Sequence, residues 1–312
     1  MNDERPDMAE HRPSVSVVLF VRNMARTIER ALASVLSQAD ADFELLVFDG
    51  ASSDGTAEIL GRYRDRFAWF SPGPDGGPAY AINDGVSRAR GDAIVLLAGD
   101  DWLEPGSLRR IASAFREDPA LDVLSCGVRV AAVDAAGAVT GEALYASDDA
   151  LEFTMEKVVR FPLTHGRILR KRTYDRIGPY DTSIPLTHDL DFLIRCLLAR
   201  PRWKTSPGIV YTFVEHAGSS TLSGTQAGAV RMARDNCGIA ARYLRQAALD
   251  GEERRVLRTL LARSAAKCIK FYLLDGAFGE AWKYARLAFR GDPLWPFTLL
   301  RIVLGRPPDR RR

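Results

Sequence analysis

Two carboxylates stand side by side at Asp100-Asp101, directly after the apolar run Ala93-Ile-Val-Leu-Leu-Ala98 and Gly99. Adjacent carboxylates at a strand end repel one another unless a cation, a hydroxyl or a hydrogen-bond network compensates. Oxygen donors of this kind suit Mg2+ or Mn2+, which take a few carboxylates and complete their shell with phosphate oxygens. The plainer alternative is an acidic turn ahead of Pro105, but the position behind a buried strand favours the cation. A second carboxylate, Asp49, ends the apolar run Phe43–Phe48 and is followed by Gly50-Ala-Ser-Ser-Asp-Gly-Thr56. Gly50 and Gly55 permit a tight loop, and Ser52 to Asp54 can satisfy the free amides of a following helix, with Ser53 as its cap. Asp49 is then available to accept hydrogen bonds from a base or a ribose, or else only shapes the loop. An aspartate-nucleophile phosphatase is a poor fit, because Asp49 and Asp54 are five apart. Asp75-Gly76-Gly77-Pro78 is a turn by composition, placed between two sheet elements beside the same cleft.

The elements that must position these groups follow an α/β pattern over the first 125 residues. Val15–Val21 is a β-branched run suited to a strand buried on both faces. Thr27–Ser37 carries apolar residues at helical spacing, and Phe43–Phe48 is the second strand. A helix is predicted from Asp54 to Arg64, a short strand at Ala68–Ser71, a helix near Ala79–Ala89 and a strong strand at Ala93–Ala98. Arg22-Asn23, Asp49 and Asp100-Asp101 all follow strand C-termini, where open α/β sheets bind ligands. Val123–Val133 and Val139–Tyr145 read as a hairpin, and from Thr225 the chain reads as helices.

Composition narrows the classes further. The 312 residues are 46% hydrophobic and 27% charged, and no apolar run approaches the roughly 18–20 residues of a membrane span. The polar first dozen residues lack the apolar core of a secretory signal. Cys126, Cys196, Cys237 and Cys268 are widely spaced without a C-x-x-C pair, as buried reduced thiols are. Both features predict a cytoplasmic protein. The net charge of +3 divides unevenly: residues 226–312 hold 18 Lys+Arg against 8 Asp+Glu, leaving the front acidic. Gly-x-Gly-x-x-Gly, Walker-type and nucleophile-elbow strings are absent. No aromatic-interleaved basic motif accompanies the charge, which argues against nucleic acid.

Taken in order, Val15-Ser-Val-Val-Leu-Phe-Val-Arg-Asn23, Phe48-Asp-Gly-Ala-Ser-Ser-Asp-Gly-Thr56, Pro74-Asp-Gly-Gly77 with Asn83-Asp-Gly85, Ala89-Arg-Gly-Asp92 and Leu97-Ala-Gly-Asp-Asp101 resemble the family-2 glycosyltransferases. The resemblance covers about residues 14–220. It implies a GT-A fold, that is, a Rossmann-like mixed sheet flanked by helices. It also implies a nucleotide-diphosphate-sugar donor, UDP-linked by preference, and inversion at the anomeric carbon. On this basis Asp49 contacts the nucleobase and the backbone of Phe20 and Val21 lines the base pocket. Asp75, Gly76 and Gly77, followed by Tyr80, match a subgroup's donor loop. Asp100 lies near the ribose or metal, and Asp101 coordinates an Mg2+ or Mn2+ ion on the pyrophosphate. Ala98 and Ile82 stand where relatives often have Asp and Arg, a departure that leaves a non-catalytic nucleotide-sugar-binding relative as the alternative.

Inversion needs a general base. Within Tyr180–Arg195, Asp189 matches the position usually assigned that role, with His188 and Asp191 beside it. Without the resemblance, these acids read as helix N-terminal charges favoured by the macrodipole. His165 matches a frequent acceptor-side histidine, and His216 a segment closing over the pyrophosphate; both are equally readable as structural residues. The expected organisation is a leader over 1–13, the transferase domain over 14–224 and a basic helical region over 225–312. Acceptors are expected to be surface glycans or lipid-linked sugars. Pro293–Leu304, with Trp295, Phe297 and Arg310–Arg312, is an apolar-basic stretch suited to an anionic membrane surface or to ordinary packing.

Overall fold

The computed structural model describes residues 12–38, 40–134, 138–162, 164–215, 226–246 and 248–297. The chain opens with β1 (Val15–Val21), α1 (Ile28–Leu36), β2 (Phe43–Asp49), α2 (Thr56–Arg62), β3 (Trp69–Pro72), α3 (Pro78–Arg88) and β4 (Ala93–Ala98). These strands pair in parallel in the order β3-β2-β1-β4. β1 and β4 are nearly continuous apolar runs, as strands covered by helices on both faces are, whereas β3 at the sheet edge is partly exposed. In the shared register Val21 lies opposite Asp49 and Phe20 opposite both Phe48 and Ala98. The C-terminal ends of β1, β2 and β4 therefore form one edge.

After β5 (Trp102–Leu103) and α4 (Ser107–Glu117), the hairpin β6 (Val123–Val133) and β7 (Val139–Tyr145) forms as its alternation predicts. It is followed by α5 (Asp148–Leu151), α6 (Met155–Arg160), β8 (Arg167–Arg170), α7 (Lys171–Ile177), α8 (His188–Leu198) and β9 (Trp203–Glu215). The short β8 runs antiparallel to both β4 and β6 and so joins the parallel half to the rest. The full order is β3-β2-β1-β4-β8-β6-β9-β5, with β7 on β6, nine strands among the described residues. The core between sheet and helices contains Val17, Leu19, Leu32, Val47, Val95 and Leu97, each fully buried or nearly so.

At the opposite, N-terminal edge, the Ala89–Asp92 string is structural. Glu44, 6% exposed, accepts from Ser16 Oγ (2.6 Å) and from the amide (2.6 Å) and guanidinium (3.0 Å) of Arg90. A Cβ on Gly91 would come within 2.5 Å of the Ser16 nitrogen, so the close crossing of β1 admits only glycine. Asp92 pairs with Arg170, whose guanidinium also donates to the carbonyls of Phe115, Asp118 and Leu121.

Contacts divide the chain into two compact units. The first comprises residues 1–153, 163–180 and 199–216, and the second residues 154–162, 181–198 and 217–312. Helices α6 and α8, which lie inside the expected 14–224 domain, thus group with the later helices. Those are α9 (Gln226–Tyr243), α10 (Gly251–Leu274) and α11 (Phe278–Gly291). A reciprocal capping box starts α10: Asp250 accepts from the Glu253 amide at 2.8 Å, and Glu253 from the Asp250 amide at 3.0 Å. All four cysteines are buried and free. Among the described residues, no helix is long and apolar enough to cross a membrane.

Candidate functional site

The edge formed by β1, β2 and β4 is built from two loops that bind each other. Asn23 adopts φ 54°, and its amide donates to Ser52 Oγ (2.8 Å) while its side-chain oxygen accepts from the Ser53 amide (2.8 Å). The Met24 amide donates to Thr56 Oγ1 at 2.8 Å, and the Ala25 amide to Asp54 Oδ2 at 3.0 Å. Ser53 was expected to cap the second helix. Instead α2 starts at Thr56 behind Gly55, which has φ 98°, with no side-chain cap. The reason is competition: Ser53 turns toward the neighbouring loop, where Asn23 Oδ1 accepts from it, and Asp54 Oδ1 takes the Thr56 amide at 3.1 Å instead.

This arrangement fixes Asp49. It is 2% exposed at the end of β2, and its Oδ1 accepts from both the amide (3.2 Å) and the hydroxyl (2.5 Å) of Ser52. Among the described residues no hydrogen bond engages Oδ2. The Asp75–Gly77 turn lies directly above. A Cβ on Gly50 would meet the Asp75 carboxylate at 3.2 Å and Arg22 Cβ at 3.4 Å, so the absent side chain lets three segments converge. Asp75 Oδ1 accepts from the Gly77 amide at 2.9 Å, and Gly76 and Gly77 take φ 77° and 115°, the left-handed region that only glycine enters without strain. Phe20, Val21, Asp49, Asp75, Gly76 and Gly77 are therefore assembled along one edge.

The acidic pair is split by the fold. Asp101 is 1% exposed: its Oδ2 accepts from the Tyr211 hydroxyl at 2.6 Å, and its Oδ1 from the Val214 amide at 2.7 Å. The same hydroxyl accepts from the Ala98 amide at 3.3 Å. Burial, reinforced by the charge of Asp100, pushes the Asp101 carboxyl well above the usual range, against the pull of its two hydrogen bonds. Asp100 is half-buried, the more accessible of the two. Gly99, just before them, packs so closely that a Cβ would fall 2.7 Å from Val21 Cγ2. The expected cation ligand, Asp101, is thus the residue with both oxygens already committed, and the expected ribose partner, Asp100, the one presented at the edge. The physical reason is Tyr211, to which nothing in the neighbouring sequence draws attention.

His165 stacks on Tyr211 (ring centroids 4.9 Å apart) and on Phe213 (5.6 Å). Its Nδ1 is buried without a hydrogen-bond partner among the described residues. Burial lowers its pKa to about 4, against the opposing charge of Asp100. The ring is therefore neutral at physiological pH.

The second unit holds the remaining acidic candidates. Asp189 opens α8, where its Oδ1 accepts from the Leu190 amide at 2.7 Å, and burial pushes its carboxyl up to about 7. Asp191, fully buried, accepts from Arg195 (3.0 Å), Arg242 (3.2 Å) and the Tyr243 hydroxyl (2.8 Å), and so ties α8 to α9. That bonding pattern is an anchor. Burial lowers the His188 pKa, partly offset by a hydrogen bond to the Ile184 backbone and the charge of Asp235. His216 lies outside the described residues.

No cluster of three or more His, Cys, Asp or Glu side chains that could hold a metal ion forms among the described residues. A divalent cation fits this edge only where phosphate oxygens supply most of its shell, with Asp100 as the accessible protein ligand.

Comparison with known proteins bears on the family and the fold. The glycosyl transferase family 2 model matches residues 16–178. An uncharacterised glycosyltransferase of Rickettsia typhi is 26% identical over 196 residues, covering 60% of this chain and 59% of that protein. Chondroitin synthase of Pasteurella multocida is 27% identical over 217 residues, 68% of this chain but 22% of the synthase. The chain therefore spans well under two thirds of these relatives. Among solved structures, S. aureus TarS 1–349 in complex with UDP-GlcNAc superposes with a TM-score of 0.58 at 18% identity, over 89% of this chain and 92% of that one. The mannosyltransferase PcManGT of Pyrobaculum calidifontis, in complex with GDP-Man and Mn2+, gives 0.56 at 18% identity, over 96% and 89%. The mixed sheet with its flanking helices is the GT-A fold of these structures.

Proposed function

The chain belongs to glycosyl transferase family 2, and from that premise we propose that it is an inverting transferase moving a sugar from a nucleoside-diphosphate donor to a hydroxyl of a surface polysaccharide or glycolipid. The observation that carries this reading is the single edge on which Asp49, the Asp75–Gly77 turn and Asp100 converge. Asp49, held by Ser52, offers Oδ2 to the base or ribose, and the backbone of Phe20 and Val21 walls the pocket. A UDP-linked sugar is the preferred donor, a preference supported by the UDP-GlcNAc complex of the TarS neighbour and weighed against GDP-Man in the other. The relation to chondroitin synthase supports a polysaccharide acceptor.

The division of labour in the acidic pair follows from burial. Asp100 is the carboxylate placed to hold a Mg2+ or Mn2+ ion on the donor diphosphate, and Asp101 fixes it through Tyr211 and Val214. When bound, such an ion supplies positive charge to the departing diphosphate. Asp189 is the general base, and its pKa of about 7 suits that task at neutral pH. It takes the proton of the acceptor hydroxyl as that oxygen bonds to the anomeric carbon and the bond to the diphosphate breaks, inverting the centre. Asp75 orders the turn that covers the donor.

The test is a panel of UDP-, GDP- and TDP-sugars incubated with the chain and Mn2+, with binding and donor turnover both followed. Saturable binding with release of the nucleoside diphosphate supports the proposal. Binding without turnover, with or without acceptor glycans, would instead leave a nucleotide-sugar-binding protein. No binding to any member would sink both readings.

A further inference from the structure

Seven of the thirteen large apolar side chains exposed among the described residues fall within 273–297 of the second unit. Scattered exposed leucines carry no meaning, but a contiguous apolar face does. On α11 the exposed members are Phe278 (68%), Trp282 (66%) and Phe289 (58%). At 3.6 residues per turn these positions, with Ala285 between them, lie on one stripe. A neighbouring face of the helix, Ala281, Tyr284 and Ala288, is buried. Leu274 (72%) at the end of α10, and Leu294 (64%) and Phe297 (66%) after α11, are exposed as well.

Cations border this stripe on one flank. Lys283, Arg286 and Arg290 follow Trp282 around the helix, and with Arg234 of α9 they line a groove of about 510 Å³. Lys283 reaches Glu280 at 3.4 Å and Arg234 reaches the Tyr284 hydroxyl at 3.2 Å, while Arg286 and Arg290 make no ion pair among the described residues. The floor of the groove includes Gly238, inside α9. A Cβ there would meet nothing within 4 Å, so packing does not require this glycine. A helix-interior glycine costs roughly 0.5–1 kcal/mol relative to alanine, and what its missing side chain provides here is open space beside four cations.

We propose that the outer face of α11 is a docking surface for an anionic lipid membrane, with the aromatic stripe entering the headgroup region and the Arg286–Arg290 groove receiving lipid phosphates. Helices that lie in the membrane interface combine an apolar face carrying Trp and Phe with flanking Lys and Arg in this way. Charge decides against a second copy of the chain as occupant. Two such faces brought together would set Lys283, Arg286 and Arg290 near their own kind, whereas anionic headgroups complement all three. The inference does not depend on the transfer reaction, and it adds α11 to the expected membrane contact of the 293–312 stretch, of which 298–312 lie outside the described residues.

The experiment is co-sedimentation of the full chain with vesicles of phosphatidylcholine alone and of phosphatidylcholine mixed with phosphatidylglycerol, with nucleotide-sugar binding measured in parallel. Binding is expected with the anionic vesicles and is expected to fall as salt rises. Each cation near such a surface contributes roughly fivefold, so reversing two of them, Arg286→Glu with Arg290→Glu, should weaken binding on the order of a hundredfold or more. Trp282→Ser with Phe289→Ser should weaken it at least tenfold with donor binding unchanged. Vesicles with brominated acyl chains should quench the wild-type fluorescence, and Trp282→Phe should remove most of that quenching. Equal binding to both vesicle types, no binding to either, or retention by the charge-reversed variant would each overturn the proposal. So would a dimer in sedimentation equilibrium that Trp282→Ser dissolves, because the stripe would then belong to a second copy.

Discussion

The Tyr211 hydroxyl stands 2.6 Å from Asp101 Oδ2, a contact that closes 110 residues of intervening chain. It converts one member of an acidic pair into a fixed point of the sheet and leaves the other at the edge. Removing only the hydroxyl, as in Tyr211→Phe, leaves Asp101 and the Ala98 amide each short of a partner. A cost of about 1.5–3 kcal/mol is expected. The check is calorimetry, with a fall in Tm of several degrees and a weaker donor affinity at matched temperature.

The two aspartates should separate cleanly by phenotype. Asp100→Ala is expected to abolish Mn2+-dependent donor binding while leaving Tm within a degree or so of the parent, as accessible substitutions do. Asp101→Ala is expected to lower both, because it strands the Tyr211 hydroxyl and the Val214 amide in a buried setting, about 1–3 kcal/mol for each. A stable Asp101→Ala protein that has lost only its metal response would reverse the assignment.

For Asp189 the measurement is a pH profile. A base with a pKa of about 7 gives a transfer rate that climbs about tenfold per pH unit below that value and levels off above it. Asp189→Asn should remove this limb and cost about 10²–10⁴-fold in kcat. The stability effect has the opposite sense. A carboxyl whose folded pKa lies above its unfolded one favours the folded state most at low pH, and that contribution is lost as pH rises from about 4 through about 7. Asp189→Asn should therefore raise Tm at pH 8 and change it little at pH 4.

His165 makes the complementary prediction. Its folded pKa of about 4 lies below that of the unfolded chain, so stability is full above about 6.5 and falls as pH drops toward 4. His165→Phe keeps a ring against Tyr211 and Phe213 and removes the titration. Its denaturation midpoint should vary less between pH 6.5 and 4 than that of the parent, and an unchanged slope would count against a buried neutral imidazole.

Ser52→Ala tests the pocket floor. It deletes both the hydroxyl that bonds Asp49 Oδ1 and the acceptor for the Asn23 amide. The donor KM is expected to rise several-fold with kcat nearly unchanged, the pattern of lost ground-state binding. A fall in kcat at constant KM would place Ser52 in the chemistry instead.

How much of this was legible in the sequence depended on range. Val15–Val21, Phe43–Asp49 and Ala93–Ala98 announce themselves because a strand buried on both faces must be apolar throughout. Their C-terminal acids could then be placed on one edge with no further information. Ser53 misled because capping preferences describe a helix and its own first turn, whereas here its amide donates to Asn23, 30 residues away. The surroundings of Asp101 were hidden for the same reason over a greater distance. Its partners are an unremarkable tyrosine and a backbone amide on β9, and a strand's residue pattern does not say which hydroxyl will meet which carboxylate. The grouping of α6 and α8 with the later helices likewise rests on contacts such as Asp191 with Tyr243, for which sequence offers no local sign.

The clasp between β4 and β9 also sets an order of events during synthesis. β1, β2 and β4 are complete once residue 98 has emerged, and their parallel pairing draws on contacts within that stretch. Asp101 has no Tyr211 or Val214 to hold until more than a hundred further residues have left the ribosome. Long-range closures of this kind form late and slowly. The nascent chain therefore carries the edge formed by β1, β2 and β4 before it carries an anchored Asp101, whose two partners arrive only with the docking of β9.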